Sequence, residues 1–418
     1  MKLRAAPPGI ALLLLLLLAL APAGGRVAAQ ASVDALLDGS TLNDVWLHVN
    51  ARDWQDLHTH YLDDTYYPVD FEWQGTRIRN SGIRVRGNAT RNDHKPSFRI
   101  DFNRYVDGQD FLGLRAIVLN NQWHDQSMLH DRLSMLVFRR MGIPAPRQAH
   151  VRLFVGAGRE YAGVYTISEE ISKTFLQANF GEDDGYLYEF HKQTDEVYGL
   201  QDPGSNLDWF VPRFDPKTHE TESAANLYLP VRGLIQAIND APPNDLESQL
   251  GDYFDVHTFI TELAIQNVMA QTDGLVGGVG MNNFYLYRFA GKRLSLLIPW
   301  DQDNSFNALE DMPPSYGMNR NVLADKIWNE PKYRALYLST LLEVADSVSG
   351  AGGWLETEAT REYLQIRDAA HADPLTPYAN ELFEAANAFV QRFARERGDI
   401  VRADVRSAAA QALTTRRR

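Results

Sequence analysis

The sequence predicts an α+β protein in which a smaller, sheet-rich N-terminal lobe packs on a larger, mainly helical C-terminal lobe, with a cleft between them. Three observations predict it. Apolar and polar residues alternate through much of residues 45–167, the period of half-buried antiparallel strands. Helical spacing takes over beyond about residue 226. The segment between them, residues 191–225, is polar and keeps no sustained period. Strands first and helices later is the α+β order, and it divides the mature chain into 30–190 (sheet-rich), 191–225 (connecting), 226–410 (helical) and a basic tail, 411–418.

The first 29 residues read as an address. Lys2 and Arg4 precede an apolar run of twelve, Ile10 to Ala21, and Val27-Ala28-Ala29 offers small residues for cleavage before Gln30. This is the layout of a secretory signal peptide cut after Ala29. A membrane anchor needs about twenty apolar residues, and Pro22 ends this run early. The expectation is a secreted, extracytoplasmic product with no integral membrane segment after cleavage.

The strands follow in order. Val45–Val49, Arg77–Arg79, Ile83–Arg86 and Ser97–Phe102 alternate, and Leu114–Leu119 is a further strand. A helix capped by Asp125 or Ser127 runs to Arg140, stopped by Gly142 and Pro144. Strands Val151–Val155 and Val164–Ile167 flank a loop with Gly156 and Gly158, and Glu169–Ala178 reads as helix. Helices are expected at about 226–239, 253–271 and from 322 onward. They are interrupted by a hairpin, Asn283–Arg288 with Arg293–Ile298, turning around Gly291. From Arg402 the chain reads as a basic tail that frays.

Composition narrows the function. Lys and Arg number 41 against 54 Asp and Glu, a net charge of −13 that becomes −16 when the leader takes away Lys2, Arg4 and Arg26. Nucleic-acid affinity rests mainly on phosphate neutralisation by basic residues, so a nucleic-acid partner is not expected. Cys is absent, which excludes disulfides, thiolate zinc sites and a cysteine nucleophile. The chain has no Gly-x-x-x-x-Gly-Lys-Ser/Thr loop, no Gly-x-Ser-x-Gly elbow and no His-Glu-x-x-His pair.

The densest polar constellation is Asp273, Asn283, Asp301 and Asp303. Asp273 opens a Gly-rich loop after a helix, Asn283 begins a hairpin strand, and Asp301 follows its partner strand. A turn centred near Ala290-Gly291 sets Asn283 beside Ile298 and Asp301 roughly 10 Å further at ~3.3 Å per residue. One amide and carboxylates at one end of a hairpin form an oxygen-rich site suited to Mg²⁺; acids also collect at strand ends because they cap turns. Asp301-Gln302-Asp303-Asn304-Ser305 starts like a calcium loop, but Phe306 and Met312 stand where Gly and Glu are required. Lys95, just before a strand, could reach phosphates or be a solvated edge lysine. Arg84 and Arg86 share a strand face, and Glu169 and Glu170 lie at a strand-to-helix junction.

These pieces, with Arg84-Val-Arg-Gly87, Lys95-Pro-Ser-Phe-Arg-Ile100, Trp123-His-Asp125, Gly142-Ile-Pro-Ala-Pro146, Gly163–Glu169, Asp273-Gly274, Asn283-Phe-Tyr-Leu-Tyr287 and Pro299-Trp-Asp-Gln-Asp303 in that order, resemble the spore coat protein H (CotH) kinase family, atypical secreted protein kinases. The resemblance implies a kinase-like bilobal fold that transfers the γ-phosphoryl of ATP to a protein Ser or Thr, with Mg²⁺ or Mn²⁺. Carried over by position, Lys95 contacts ATP phosphates, Asp273 orients or deprotonates the acceptor hydroxyl, and Asn283 and Asp301 hold the metal with Asp303 as an auxiliary acid. Arg86 and Glu169 join the nucleotide side. Departures from conventional kinases are plain: ten residues rather than five separate Asp273 from Asn283, and neither His-Arg-Asp nor Asp-Phe-Gly occurs. A non-catalytic surface or coat scaffold is the alternative from another class, and a metal-dependent hydrolase using the same carboxylates is a third.

Overall fold

A computed structural model describes residues 32–193 and 196–416; the expected leader and its cleavage point lie outside the described residues. After a one-turn helix α1 (Val33–Leu36), the N-terminal half builds a closed seven-stranded barrel. Its strands are β1 (Asn43–His48), β2 (Tyr67–Trp73), β3 (Thr76–Arg86), β4 (Ser97–Asp101), β5 (Ala116–Asn120), β6 (Gln148–Val155) and β7 (Glu160–Glu169). The order round the barrel is β1-β2-β3-β4-β5-β7-β6, and β6 closes on β1 as its one parallel pair. Closure leaves no unpaired edge.

The alternation read from the sequence is what fills the barrel. Val45 and Leu47, Phe98 and Ile100, and Ile117 and Leu119 point inward onto Phe71, Trp73 and Tyr165, all fully buried or nearly so. Burying each of these side chains contributes about 1.5–3 kcal/mol. Strand β2 and helix α2 (Ala51–Thr59), which fills the β1–β2 connection, were not anticipated. Pro68 and two acids, Asp70 and Glu72, obscure the period of β2.

Two helices leave the barrel: α3 (His130–Arg140) after β5 and α4 (Lys173–Phe180) after β7. Glu169 is the last residue of β7 rather than the start of that helix. A second, four-stranded sheet of order β11-β10-β8-β9 follows, from β8 (Tyr186–Phe190), β9 (Phe214–Pro216), β10 (Phe284–Arg288) and β11 (Ser295–Pro299). Strand β8, counted with the N-terminal half in the sequence division, thus hydrogen-bonds to β10. Segment 191–225 is not wholly irregular, since it contains β9.

The helices are α5 (Ala224–Asp240), α6 (Leu246–Leu250), α7 (Val256–Val268), α8 (Val322–Asn329), α9 (Pro331–Val348), α10 (Trp354–His371) and α11 (Asn380–Arg416). Helix α7 is buried nearly all round, as the central helix of a large core must be. Helix α11 continues through the stretch expected to fray. Among the described residues, no helix is long and apolar enough to cross a membrane.

Candidate active site

The β10–β11 hairpin pairs Phe284 with Pro299 and Tyr285 with Ile298, so its turn is centred one residue later than expected. Asn283 therefore faces Trp300, whose backbone N–H donates to the Asn283 carbonyl at 3.1 Å, and Asp301 is one residue from that contact. The two loops that carry the acids are stitched together. The Gln302 amide nitrogen donates to the carbonyls of Asn283 (3.2 Å) and Trp300 (2.9 Å), Gln271 donates to Gln302 Oε1 (3.2 Å), and the Thr272 N–H donates to the Asn304 carbonyl (3.3 Å). Ala270, Asn283, Asp301 and Phe306 all hold positive φ, between 52° and 60°. Such residues cost of order 1–3 kcal/mol each and persist where surrounding bonds over-determine them.

Asp273 sits against this frame. Its carboxylate accepts from Asn282 (3.1 Å) and Asn283 (3.2 Å), and its backbone carbonyl also accepts from Asn283 Nδ2 (3.0 Å). Asp273 Oδ1 is buried and has no hydrogen-bond partner. Helix α3 supplies a further acid from the barrel side. Asp131 accepts from Gln148 Nε2 (2.7 Å) and from the Gln302 N–H (2.9 Å). Asp125 accepts from the His130 N–H at 2.7 Å, but the N-cap of α3 is Leu129 rather than the expected Asp125 or Ser127.

The electrostatics follow from this crowding. Burial, then the Asp131 carboxylate, pushes Asp301 up to about 7 against the opposing pull of Arg86. Asp303 lies well above the usual carboxylate range through burial, then Asp301 and Asp131. Burial raises Asp131, and burial raises Asp273 against the hydrogen bonds from Asn282 and Asn283. Arg86, at the end of β3, is a cation facing Asp131, Asp301 and, after Lys217, Glu189, with its guanidinium 5.1 Å from the Trp300 ring centre. Like charges held this close in a partly dry site need protons or a cation between them. The available donors are hard oxygens of Asp273, Asn283, Asp301 and Asp303, and Asn283 turns its nitrogen to Asp273, leaving its oxygen free to face a metal. These are the hard oxygen donors that Mg²⁺ or Mn²⁺ prefers, although among the described residues the Asp273, Asp301 and Asp303 carboxylates do not all lie within 4.8 Å of one another. A nearby trio, Glu189, His191 and Asp215, does lie that close, but Lys217 donates to Glu189 (2.8 Å) and Asp215 (2.6 Å) and fills that space with an ammonium.

Asp273, Asn283, Asp301, Asp303 and Arg86 thus come together. Lys95 and Glu169 do not. The Lys95 ammonium, fully buried, donates to Asp373 Oδ2 at 2.7 Å and to the Val164 carbonyl at 2.9 Å. It ties the barrel to the loop after α10, and its charge is already neutralised there. Glu169 is gripped by Arg147 through two bonds of 3.0 and 2.7 Å. Neither is named among the main charges acting on Asp301, Asp303 or Asp273; in this structure each is held in an ion pair, Lys95 with Asp373 and Glu169 with Arg147. The site residues not anticipated are Asp131, Asp125 and Glu189. Glu189 breaks an otherwise apolar strand, and that was its available signal; Asp131, between His130 and Arg132, offered none.

The family model described as CotH kinase protein matches residues 83–401. The chain belongs to that family. Inner spore coat protein H of Bacillus subtilis (strain 168) is 25% identical over 348 residues, covering 81% of this chain and 90% of that protein. This CotH-family chain also aligns with two solved structures. One is a Helicobacter pylori proinflammatory kinase, CtkA (TM-score 0.32, 10% identity, 76% of this chain and 95% of that one). The other is Shewanella oneidensis HipA, in a toxin–antitoxin complex with HipB and operator DNA (TM-score 0.33, 11% identity, 70% and 59%). The matched span of the family model begins at β3 and contains Arg86 and every acid of the site.

Proposed function

We propose that this chain is a secreted, atypical protein kinase that transfers the γ-phosphoryl group of ATP to a protein Ser or Thr, with the barrel and the helical part serving as its two lobes. The observation that carries the reading is the convergence of Asp273, Asn283 and Asp301 on one partly buried, acid-rich site, in a chain of the CotH kinase family. Asn283, Asp301 and Asp303 would hold Mg²⁺ or Mn²⁺, which when bound neutralises the phosphate oxygens and the carboxylates together. Asp273 receives the proton of the acceptor hydroxyl as its oxygen bonds to the γ-phosphorus and the bond to ADP breaks. Burial makes Asp273 a stronger base than a surface carboxylate. Arg86, which faces the same carboxylates, would meet the phosphates.

The test is transfer of labelled phosphate from ATP to a Ser/Thr-rich protein or to the chain itself, with Mg²⁺ or Mn²⁺. Wild type is expected to label and Asp301→Ala not to; equal labelling by both removes the mechanism. A second reading, a non-catalytic coat scaffold, is favoured by one observation: Lys95 is spent on Asp373. Absence of any thermal shift with millimolar Mg-ATP supports that reading. Release of free phosphate with no labelled protein supports a hydrolase.

A further inference from the structure

Beside α3 lies a cavity of about 340 Å³, between the α1–β1 connection, α3, the start of β6 and α10. That is the size of a small-molecule site, and four arginines line it: Arg132, Arg139, Arg147 and Arg361. Two of them are walls. Arg132 pairs with the buried Glu362, and Arg361 pairs with Glu358 and donates to the Gly39 carbonyl at 2.7 Å. The floor is closely packed at Gly39, where a Cβ would lie 1.4 Å from an Arg132 nitrogen and displace that guanidinium.

Of the other two, Arg139 is available and Arg147 is open to exchange only on its outer edge. Arg139 has no carboxylate partner among the described residues, only a 3.4 Å bond to the Ala145 carbonyl. Arg147 is anchored inward on Glu169, but its outer nitrogen reaches only Asp34, whose side chain is 84% exposed. An exposed pair of that kind is weak and easily exchanged for a better anion. Arg139 and Arg147 also press on each other, since burial and then the Arg147 charge disfavour the Arg139 cation. Leu37, Met135, Leu136 and Pro146 supply apolar wall beside this pair.

Two forked donors side by side, with an apolar wall, match a phosphate dianion attached to a small organic body. We propose that this cavity binds a phosphate monoester, its phosphate between Arg139 and Arg147 and its organic part against Leu37 and Leu136. This does not rest on kinase activity.

Calorimetric titration of the full chain in EDTA, with O-phosphoserine, AMP and inorganic phosphate as separate probes, tests it. At least one ester is expected to bind saturably below roughly 10 mM, with affinity falling about tenfold or more in Arg139→Gln. Asp301→Asn should bind it as wild type does. Preference for O-phosphoserine identifies a phosphorylated protein side chain as the source, and preference for AMP a nucleotide. The proposal is overturned if no ester binds, if Asp301→Asn weakens binding while Arg139→Gln does not, or if inorganic phosphate binds as tightly as both esters. Arg139 is an exposed residue, and an unchanged melting temperature without ligand checks that the variant is folded.

Discussion

Asn283 Nδ2 spans both ends of Asp273, donating to its backbone carbonyl at 3.0 Å and to its carboxylate at 3.2 Å. The amide thereby fixes where the proposed base points, and its hydrogen bond favours the charged carboxylate that burial disfavours. Asp273→Asn is expected to lower kcat by ~10²–10⁴, the range of a lost general base. Asn283→Ala removes a bond that lowers the Asp273 pKa, so the deprotonated base appears only at higher pH. The acid limb of kcat/KM should move upward in pH, and a pH–rate profile of the variant reads it directly.

Asp301 carries the second prediction. Its pKa of about 7 in the folded protein exceeds the usual carboxylate value, so folding prefers the proton that the unfolded chain has already lost. Stability from this group is fully present below about pH 4 and is lost as pH rises through 7. Without divalent metal, Asp301→Asn should be more stable than wild type at pH 8 by roughly 1–3 kcal/mol, discounted for residual solvent contact. No such gain is expected at pH 4. Urea titrations in EDTA measure it, and Mg²⁺ or Mn²⁺ should cancel the advantage by stabilising wild type alone.

Lys95 and Asp373 form an ion pair with no solvent exposure on either side chain. Lys95→Met leaves a buried carboxylate that also accepts from the Val164 N–H, and should cost about 3–5 kcal/mol. The double variant Lys95→Met with Asp373→Leu should recover most of that loss. Nucleotide KM, measured on protein that remains folded, should stay within a few-fold of wild type. A large, selective rise in KM would return Lys95 to the nucleotide site.

Arg397, fully buried on α11, donates to four carbonyls, those of Asn267, Val268, Leu309 and Met312. Two of these carbonyls belong to the last turn of α7, just ahead of the loop that carries Asp273. Arg397→Met leaves them without donors, at about 1–3 kcal/mol for each group that stays dry. Thermal melting should show the loss. Hydrogen exchange should show its largest local change at residues 267–275, whereas the barrel strands keep their protection.

Much of the site was legible because its residues lie close along the chain. Asp273, Asn283 and Asp301 fall within 29 residues of one another around a single hairpin, and hairpin geometry follows from turn position and alternation. Its register was missed by one turn position, which placed Asp301 too far from Asn283. Glu189 and Asp131 come from distant strands and helices, where local periodicity carries no address for a partner. What the sequence hid about Lys95 was its partner: a lysine before a strand looks exposed until a loop 278 residues away brings Asp373 against it.

By itself the sequence determined the alternation that fills the barrel, the helical character of the C-terminal half, the acid-rich hairpin and the ordered motifs of the CotH kinase family. Only the tertiary structure decided which charges meet. It closed seven strands into a barrel, drew β8 out to the second sheet, spent Lys95 and Glu169 on Asp373 and Arg147, and left Arg86 facing the carboxylates. Backbone pattern is governed by local sterics and burial, which read along the chain. Charge pairing depends on distance and on exclusion of water, and both are set by residues far apart in sequence.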